Sequence, residues 1–193
     1  MGPEIARGFR PLRGRFAPLR LLRARLGDRL RLSADANGSW SAAEAPAYLE
    51  QLAELGLQSI EQPIPAGDWD AIGHLSRQAR LPVMLDESLC DMAAVERLAA
   101  THAAPLAHLK LAKLGGLDRL MQAGRILEQA GIPVMVGQMN EGSPSTLAAA
   151  MRPPRWVRPI ASCTAPMDWP TTQPGRCAMR TAMCICRPGR ALG

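Results

Sequence analysis

"QSIEQPIPAGDWDAIGHLSRQARLPVMLDES", Gln58 to Ser88, holds two short apolar runs that each close on an acid, Glu61 and Asp86, with a helical stretch near Trp69 to Arg80 between them. Strand, helix, strand within about 30 residues is the βαβ unit of a parallel sheet. The pattern repeats on both sides. Upstream, "LRLSAD" (30–35) leads into "SAAEAPAYLEQLAELG" (41–56), where Ser41 and Glu44 form a capping-box pattern and Gly56 supplies a stop. Downstream, Asp91 caps a helix after "LDES". "LAHLKLAK" (106–113) then leads through Gly115 and Gly116 into "LDRLMQAGRILEQAG", and "IPVMVGQ" (132–138) leads into a helix near Ser145. Five β-α units in a row predict an α/β fold with helices outside a parallel sheet, either open or closed towards a barrel.

Asp35, Glu61, Asp86 and Lys110 each fall at the end of a strand, at spacings of 26, 25 and 24 residues. Strand ends at one rim of a β/α barrel converge, and that is where such folds build their sites. Three carboxylates side by side repel unless something neutralises them. An oxygen-only trio suits a hard divalent cation, Mg²⁺, with Mn²⁺ as the alternative. Taken singly, each acid could equally be a turn or cap residue. Their recurrence in phase, followed by a lysine in the fourth unit, is what argues for a shared site.

Composition narrows the classes of function. The chain has 193 residues, is 47% hydrophobic, and carries a formal net charge of +6. The charge is divided. Residues 1–31 hold nine Arg against Glu4 and Asp28, residues 32–150 hold seven basic against fourteen acidic residues, and residues 151–193 hold seven Arg against Asp168. A basic pair of ends without aromatic interleaving or a binding motif does not support a nucleic-acid partner. No apolar stretch approaches the roughly 20 residues of a membrane span, and no secretory signal is evident, so a cytoplasmic location is expected. Cys163, Cys177, Cys184 and Cys186 crowd the tail at spacings that match no paired zinc knuckle, and a disulfide framework is not expected where no secretory signal is evident.

Together "DANGSW", "IEQP", "LDES" and "LKLAKLGG" resemble the signature of the enolase superfamily, specifically its muconate-lactonizing family. The resemblance runs from about Leu30 to Ala150. It implies a modified TIM barrel and a magnesium ion held by Asp35, Glu61 and Asp86. It makes Lys110 the acid/base on the sixth strand, with Lys113 a neighbour or the reverse. "GQMNEGSPSTLAAA" (137–150) resembles the segment after the seventh strand of muconate cycloisomerases, which puts Glu141 close to the lysine or substrate. The implied chemistry is proton transfer next to the carboxylate of a small substrate, through an enediolate. Cycloisomerase chemistry is the first reading, with dipeptide epimerase or o-succinylbenzoate synthase chemistry as alternatives. A Schiff-base aldolase on Lys110 is disfavoured, because such a lysine prefers a desolvated site without a metal triad.

The ends depart from that family pattern. The resemblance implies a capping domain and a Lys-x-Lys pair on the second strand. Here some thirty residues precede Asp35, and "GFRPLRGRF" offers Arg13 and Arg15, which stay protonated and make poor bases. Past Ala150 the alternation stops. With wobble bases chosen freely, codons from Met151 onward can be read in another frame as a family-like continuation, so a shifted reading frame would account for the tail. The expectation is a partial TIM-type barrel over 30–150 with the capping domain missing. An irregular basic segment is expected over 1–29 and an irregular Arg/Pro/Cys-rich tail over 151–193. An open barrel edge would favour a homo-oligomer. Against the enzyme reading stands a catalytically inactive remnant, and as written the chain is expected to turn over little.

Overall fold

The computed structural model describes residues 16–27, 31–137 and 139. Five parallel strands lie side by side in chain order: β1 (Ala34–Asp35), β2 (Ile60–Glu61), β3 (Val83–Leu85), β4 (Leu106–Lys110) and β5 (Val134–Gly137). Between them run α2 (Ala45–Glu54), α3 (Trp69–Gln78), α4 (Met92–Thr101), a single turn α5 (Leu111–Leu114), and α6 (Leu117–Gln129). This is a half-barrel of the β/α type, as the recurring units predict. The helix expected near Ser145 and the tail from Met151 lie outside the described residues.

Local chemistry sets the helix ends. Ser41 Oγ donates to Glu44 Oε2 at 2.7 Å, and the Glu44 N–H donates to Ser41 Oγ at 3.3 Å, so the capping box forms just ahead of α2. Asp68 accepts from the Ala71 N–H at 2.9 Å to cap α3, and Asp91 accepts from the Ala94 N–H at 2.8 Å to cap α4. The turn into α6 passes through Gly115 and Gly116 at φ 82° and 147°, values that glycine reaches without a Cβ clash.

Strands covered on both faces read as continuous apolar runs, and Val83, Met84 and Leu85 are all buried. Register then fixes the rim. Asp35 pairs with Glu61, Glu61 with Met84, and Lys110 with Gly137. Asp86 follows β3 directly, so it stands beside Glu61 at the carboxyl edge.

The segment expected to be irregular contains a helix, α1 (Ala17–Leu26). Its Ala, Leu and Arg residues are strong helix formers, and Pro18 sits in the first turn, where its missing N–H does no harm. Two further contacts hold it. Arg23 Nε donates to Leu55 O and Arg23 Nη2 to Gly56 O, each at 2.8 Å, which places a cation on the carbonyl end of α2. Phe16 meets Trp40 and Tyr48 edge-on, with ring centroids 6.3 and 5.8 Å apart. A composition read as loose basic charge is therefore partly docking chemistry. Phe16→Ala should lower the unfolding free energy by about 3 kcal/mol, measured by urea titration. A change within error would mean that α1 is not docked.

Candidate metal centre and lysine pair

Glu61 ends β2 and is buried; Asp86 follows β3 and is 2% exposed. His108 lies on β4, two residues before Lys110, so both side chains leave the same face of the strand. Its Nδ1 lies 2.7 Å from Glu61 Oε1. Ligand atoms of Glu61, Asp86 and His108 all fall within 4.8 Å of one another, close enough to share one ion.

Lys110 Nζ donates to Asp86 Oδ2. Lys113 Nζ donates to Asp86 Oδ1 and, at 2.5 Å, to the Asp86 carbonyl. Lys113 arrives there because the chain leaves β4 and turns at once into α5, which folds its side chain back over the rim. Two ammonium groups thus serve one buried carboxylate.

These neighbours set the ionisation. Burial pushes the Glu61 carboxyl above its usual range, assisted by the nearby Asp35 and Asp86 charges and opposed by His108. Burial also acts on Asp86, but the Lys113 charge and the hydrogen bonds from both lysines outweigh it and hold Asp86 low. Burial pulls both ammonium groups down. At Lys110 the Asp86 bond and charge more than offset it, leaving that lysine raised, whereas Lys113 ends lowered, with the Lys110 charge adding to the burial. The two side chains are similarly exposed to solvent, so the difference lies in the protein packed more closely around Lys113.

Of the residues singled out in the sequence, the structure gathers Glu61, Asp86 and Lys110. Asp35 stands at the same rim but outside the 4.8 Å group, with its Oδ1 accepting from the Asn37 N–H at 2.7 Å in the turn after β1. Its charge still reaches Glu61. Glu141 lies outside the described residues. His108 was not singled out, since inside an apolar strand run it reads as filler. Glu87, next to Asp86, carries an Oε2 that is buried without a hydrogen-bond partner among the described residues, and burial raises its carboxyl.

Gln62 was also passed over. Fully buried, it donates from Nε2 to Ile64 O and Ser88 Oγ at 2.9 Å, while its Oε1 accepts from the Asp86 and Ser88 N–H groups at 3.1 Å. Every polar position of its amide is used. Its backbone sits at φ 33°, a conformation costly for a residue with a side chain, and the network holds it there. Gln62 therefore fixes where Asp86 leaves β3. A cavity of about 600 Å³ lies elsewhere, beside α3 and α4, and contains none of these residues.

A half-barrel that gathers buried acids and two lysines at the carboxyl ends of its strands has them where β/α barrels build their sites. The chain belongs to the enolase superfamily and resembles its muconate-lactonizing members: the family described as "Enolase C-terminal domain-like" matches residues 5–171. Among its relatives is the chloromuconate cycloisomerase of Pseudomonas sp. (strain P51), 32% identical over 124 residues, which are 64% of this chain and 34% of that protein. The structure of the muconate lactonizing enzyme from Pseudomonas putida superposes with a TM-score of 0.70 at 33% identity, covering 74% of this chain and 40% of that one. The dipeptide epimerase from Cytophaga hutchinsonii, complexed with Mg and the dipeptide D-Ala-L-Val, superposes with a TM-score of 0.66 at 34% identity, covering 68% and 36%. The chain thus spans little more than a third of the length of these relatives.

Two measurements check the centre. Gln62→Leu leaves the Asp86 and Ser88 N–H groups without that acceptor and should destabilise the chain by about 2–6 kcal/mol in urea unfolding, at about 1–3 kcal/mol per orphaned group. The second concerns pH. Because the folded value of Glu61 is raised, folding takes up protons between the unfolded value near 4.3 and the folded one, so metal-free stability gains from Glu61 as pH falls through that window. Asp86, held low, works oppositely: its contribution is present above the unfolded value near 3.9 and lost as pH falls through the folded one. Glu61→Gln should therefore be more stable than the parent at pH 7, and the advantage should vanish near pH 4. An advantage constant with pH would assign it to packing instead.

Proposed function

We propose that this chain carries the cation and acid/base centre of a Mg²⁺-dependent enzyme that moves a proton on the carbon next to a substrate carboxylate, with muconate cycloisomerase-like chemistry. Epimerisation of a dipeptide is the alternative, and the likeness to the Cytophaga epimerase supports it. The observation that carries the proposal is the meeting of Glu61, Asp86, Lys110 and Lys113 at one rim.

The donor set fits the ion. Glu61 and Asp86 are buried oxygen donors, Asp35 stands in register beside Glu61, and the Asp86 carboxylate collects two positive groups. Glu61, Asp86 and Asp35 would hold Mg²⁺, or Mn²⁺ in its place. When bound, the cation supplies positive charge that stabilises the negative charge developing on the substrate carboxylate.

Lys110 is the proposed acid/base. It leaves β4 towards the same space as the carboxylates, and its Nζ is the atom that takes or returns the proton. Asp86 cannot serve a cation and two ammonium groups equally, so engagement of Asp86 elsewhere removes the interaction that raises the proton affinity of Lys110. Lys113, lowered and closely enclosed, holds the Asp86 backbone carbonyl and so helps position that carboxylate. Glu141 is proposed as a hydrogen-bond partner near the lysine or substrate.

The test is calorimetric titration with Mg²⁺ together with exchange of the α-proton of muconolactone and of Ala-containing dipeptides in D₂O. Asp86→Asn should weaken Mg²⁺ binding by more than about tenfold, the scale of 1.4 kcal/mol, because a ligand charge is lost. Lys110→Ala should leave binding equal or tighter while abolishing any exchange that the parent chain shows. Equal losses of affinity in both variants would contradict the assigned roles.

A further inference from the structure

His108 is 3% exposed, and the two sides of its ring meet different surroundings. Nδ1 faces Glu61 Oε1 at 2.7 Å, whereas Nε2 is enclosed with no hydrogen-bond partner among the described residues. Two arrangements with a neutral ring, differing by one proton on Glu61, satisfy the short contact. In one, a protonated Glu61 donates to Nδ1 and the ring proton sits on Nε2, where it is a buried donor without an acceptor. In the other, Nδ1–H donates to an ionised Glu61 and Nε2 is a bare lone pair. In both, Nε2 has no partner among the described residues, as an orphaned N–H in the first and an unpaired acceptor in the second; only in the second does the imidazole itself donate to the carboxylate it would orient.

Gly137 adds an independent observation. It is the last residue of β5, opposite Lys110, and its φ is not in the left-handed region, so the backbone itself does not require glycine there. A Cβ at this position would overlap the His108 ring, 2.8 Å from Cε1 and 3.1 Å from Cδ2, and nearer still to Nε2. Glycine in a strand weakens it and marks a close approach. The approaching group here is the imidazole.

We propose that His108 is a positioning residue for Glu61: as the Nδ1–H tautomer it holds Oε1, fixes the orientation of the carboxylate and leaves Oε2 to turn towards the cation, in a slot that the missing side chain of Gly137 keeps open. This rests on the reading of Glu61 as a cation ligand. An outer donor of this kind orients a ligating oxygen before the ion arrives, and removing such a partner commonly costs 10- to 100-fold in metal affinity.

Two readouts on the full chain test it. Long-range ¹H–¹⁵N correlation spectra of the ¹⁵N-histidine-labelled, metal-free protein read the tautomer directly. The chain has three histidines, and a His108→Asn variant identifies the signals. The Nδ1–H form is expected for His108, and the Nε2–H form would overturn the proposal. The second readout is Mn²⁺ affinity by electron paramagnetic resonance, with thermal melts to confirm that each variant folds. His108→Leu should bind Mn²⁺ at least about tenfold more weakly. His108→Asn, whose amide N–H can reach the same oxygen, should recover most of the loss, and Gly137→Ala should behave like His108→Leu. Equal affinity in parent and His108→Leu overturns the positioning role and leaves the cation reading intact. A parent that binds no Mn²⁺ overturns the cation reading, and this role falls with it. Should His108→Leu fail to fold, the tautomer and Gly137→Ala decide the matter.

Discussion

The Asp86 carboxylate is the point on which the site turns. It is buried, so it requires positive charge, and Lys110 and Lys113 supply that charge from either end of one sharp corner in the chain. Burying an unpaired carboxylate would cost several kcal/mol, so strand, corner and helix must be arranged to bring at least one cation to it. The same demand makes the place suitable for a metal ion: the carboxylate is fixed, charged and already shared between competing cations. Gln62 holds its backbone, and Glu61 stands beside it with a proton affinity raised by burial and crowding.

Parallel register is what creates the crowding. β1, β2 and β3 place Asp35, Glu61 and Asp86 at one edge, and β4 delivers His108 and Lys110 to the same face two residues apart. The alternate residues of β4, Ala107 and Leu109, belong to the hydrophobic core, so apolar burial sets the direction in which the functional side chains point. The site is thus a consequence of how the sheet packs, and core changes that shift β4 by one residue would turn both His108 and Lys110 away from it.

Much of this was legible in the sequence because it is local or periodic. The spacing of Asp35, Glu61, Asp86 and Lys110 reports the length of a βα unit, and the caps at Ser41–Glu44 and Asp91 depend on contacts three residues away. His108 and Gly137 were illegible for the opposite reason: their relation runs between strands and exists only once β4 and β5 are in register. Gln62 reads as a neighbour of Glu61 until its amide is seen bridging two loops. Lys113 was expected as a neighbour of Lys110 or in its role, but its bonds to Asp86 depend on the turn of α5 immediately after β4. The α1 helix was missed because its arginines suggest solvated charge, whereas Arg23 is committed to the end of α2. Asp35 reaches the expected rim as its phase implies, and what the sequence does not show is that one of its oxygens, Oδ1, also accepts from the Asn37 N–H in its own turn.

The central claim is that the carboxylates at this rim form one cation site over which lysines and metal compete. Anomalous diffraction from crystals grown with Mn²⁺ tests it most directly. The expected result is a single strong peak bonded to Glu61 and Asp86 oxygens at about 2.0–2.6 Å, with at least one lysine displaced from Asp86. A structure in which both lysines still hold Asp86, with manganese absent from the rim or bound elsewhere, would contradict it.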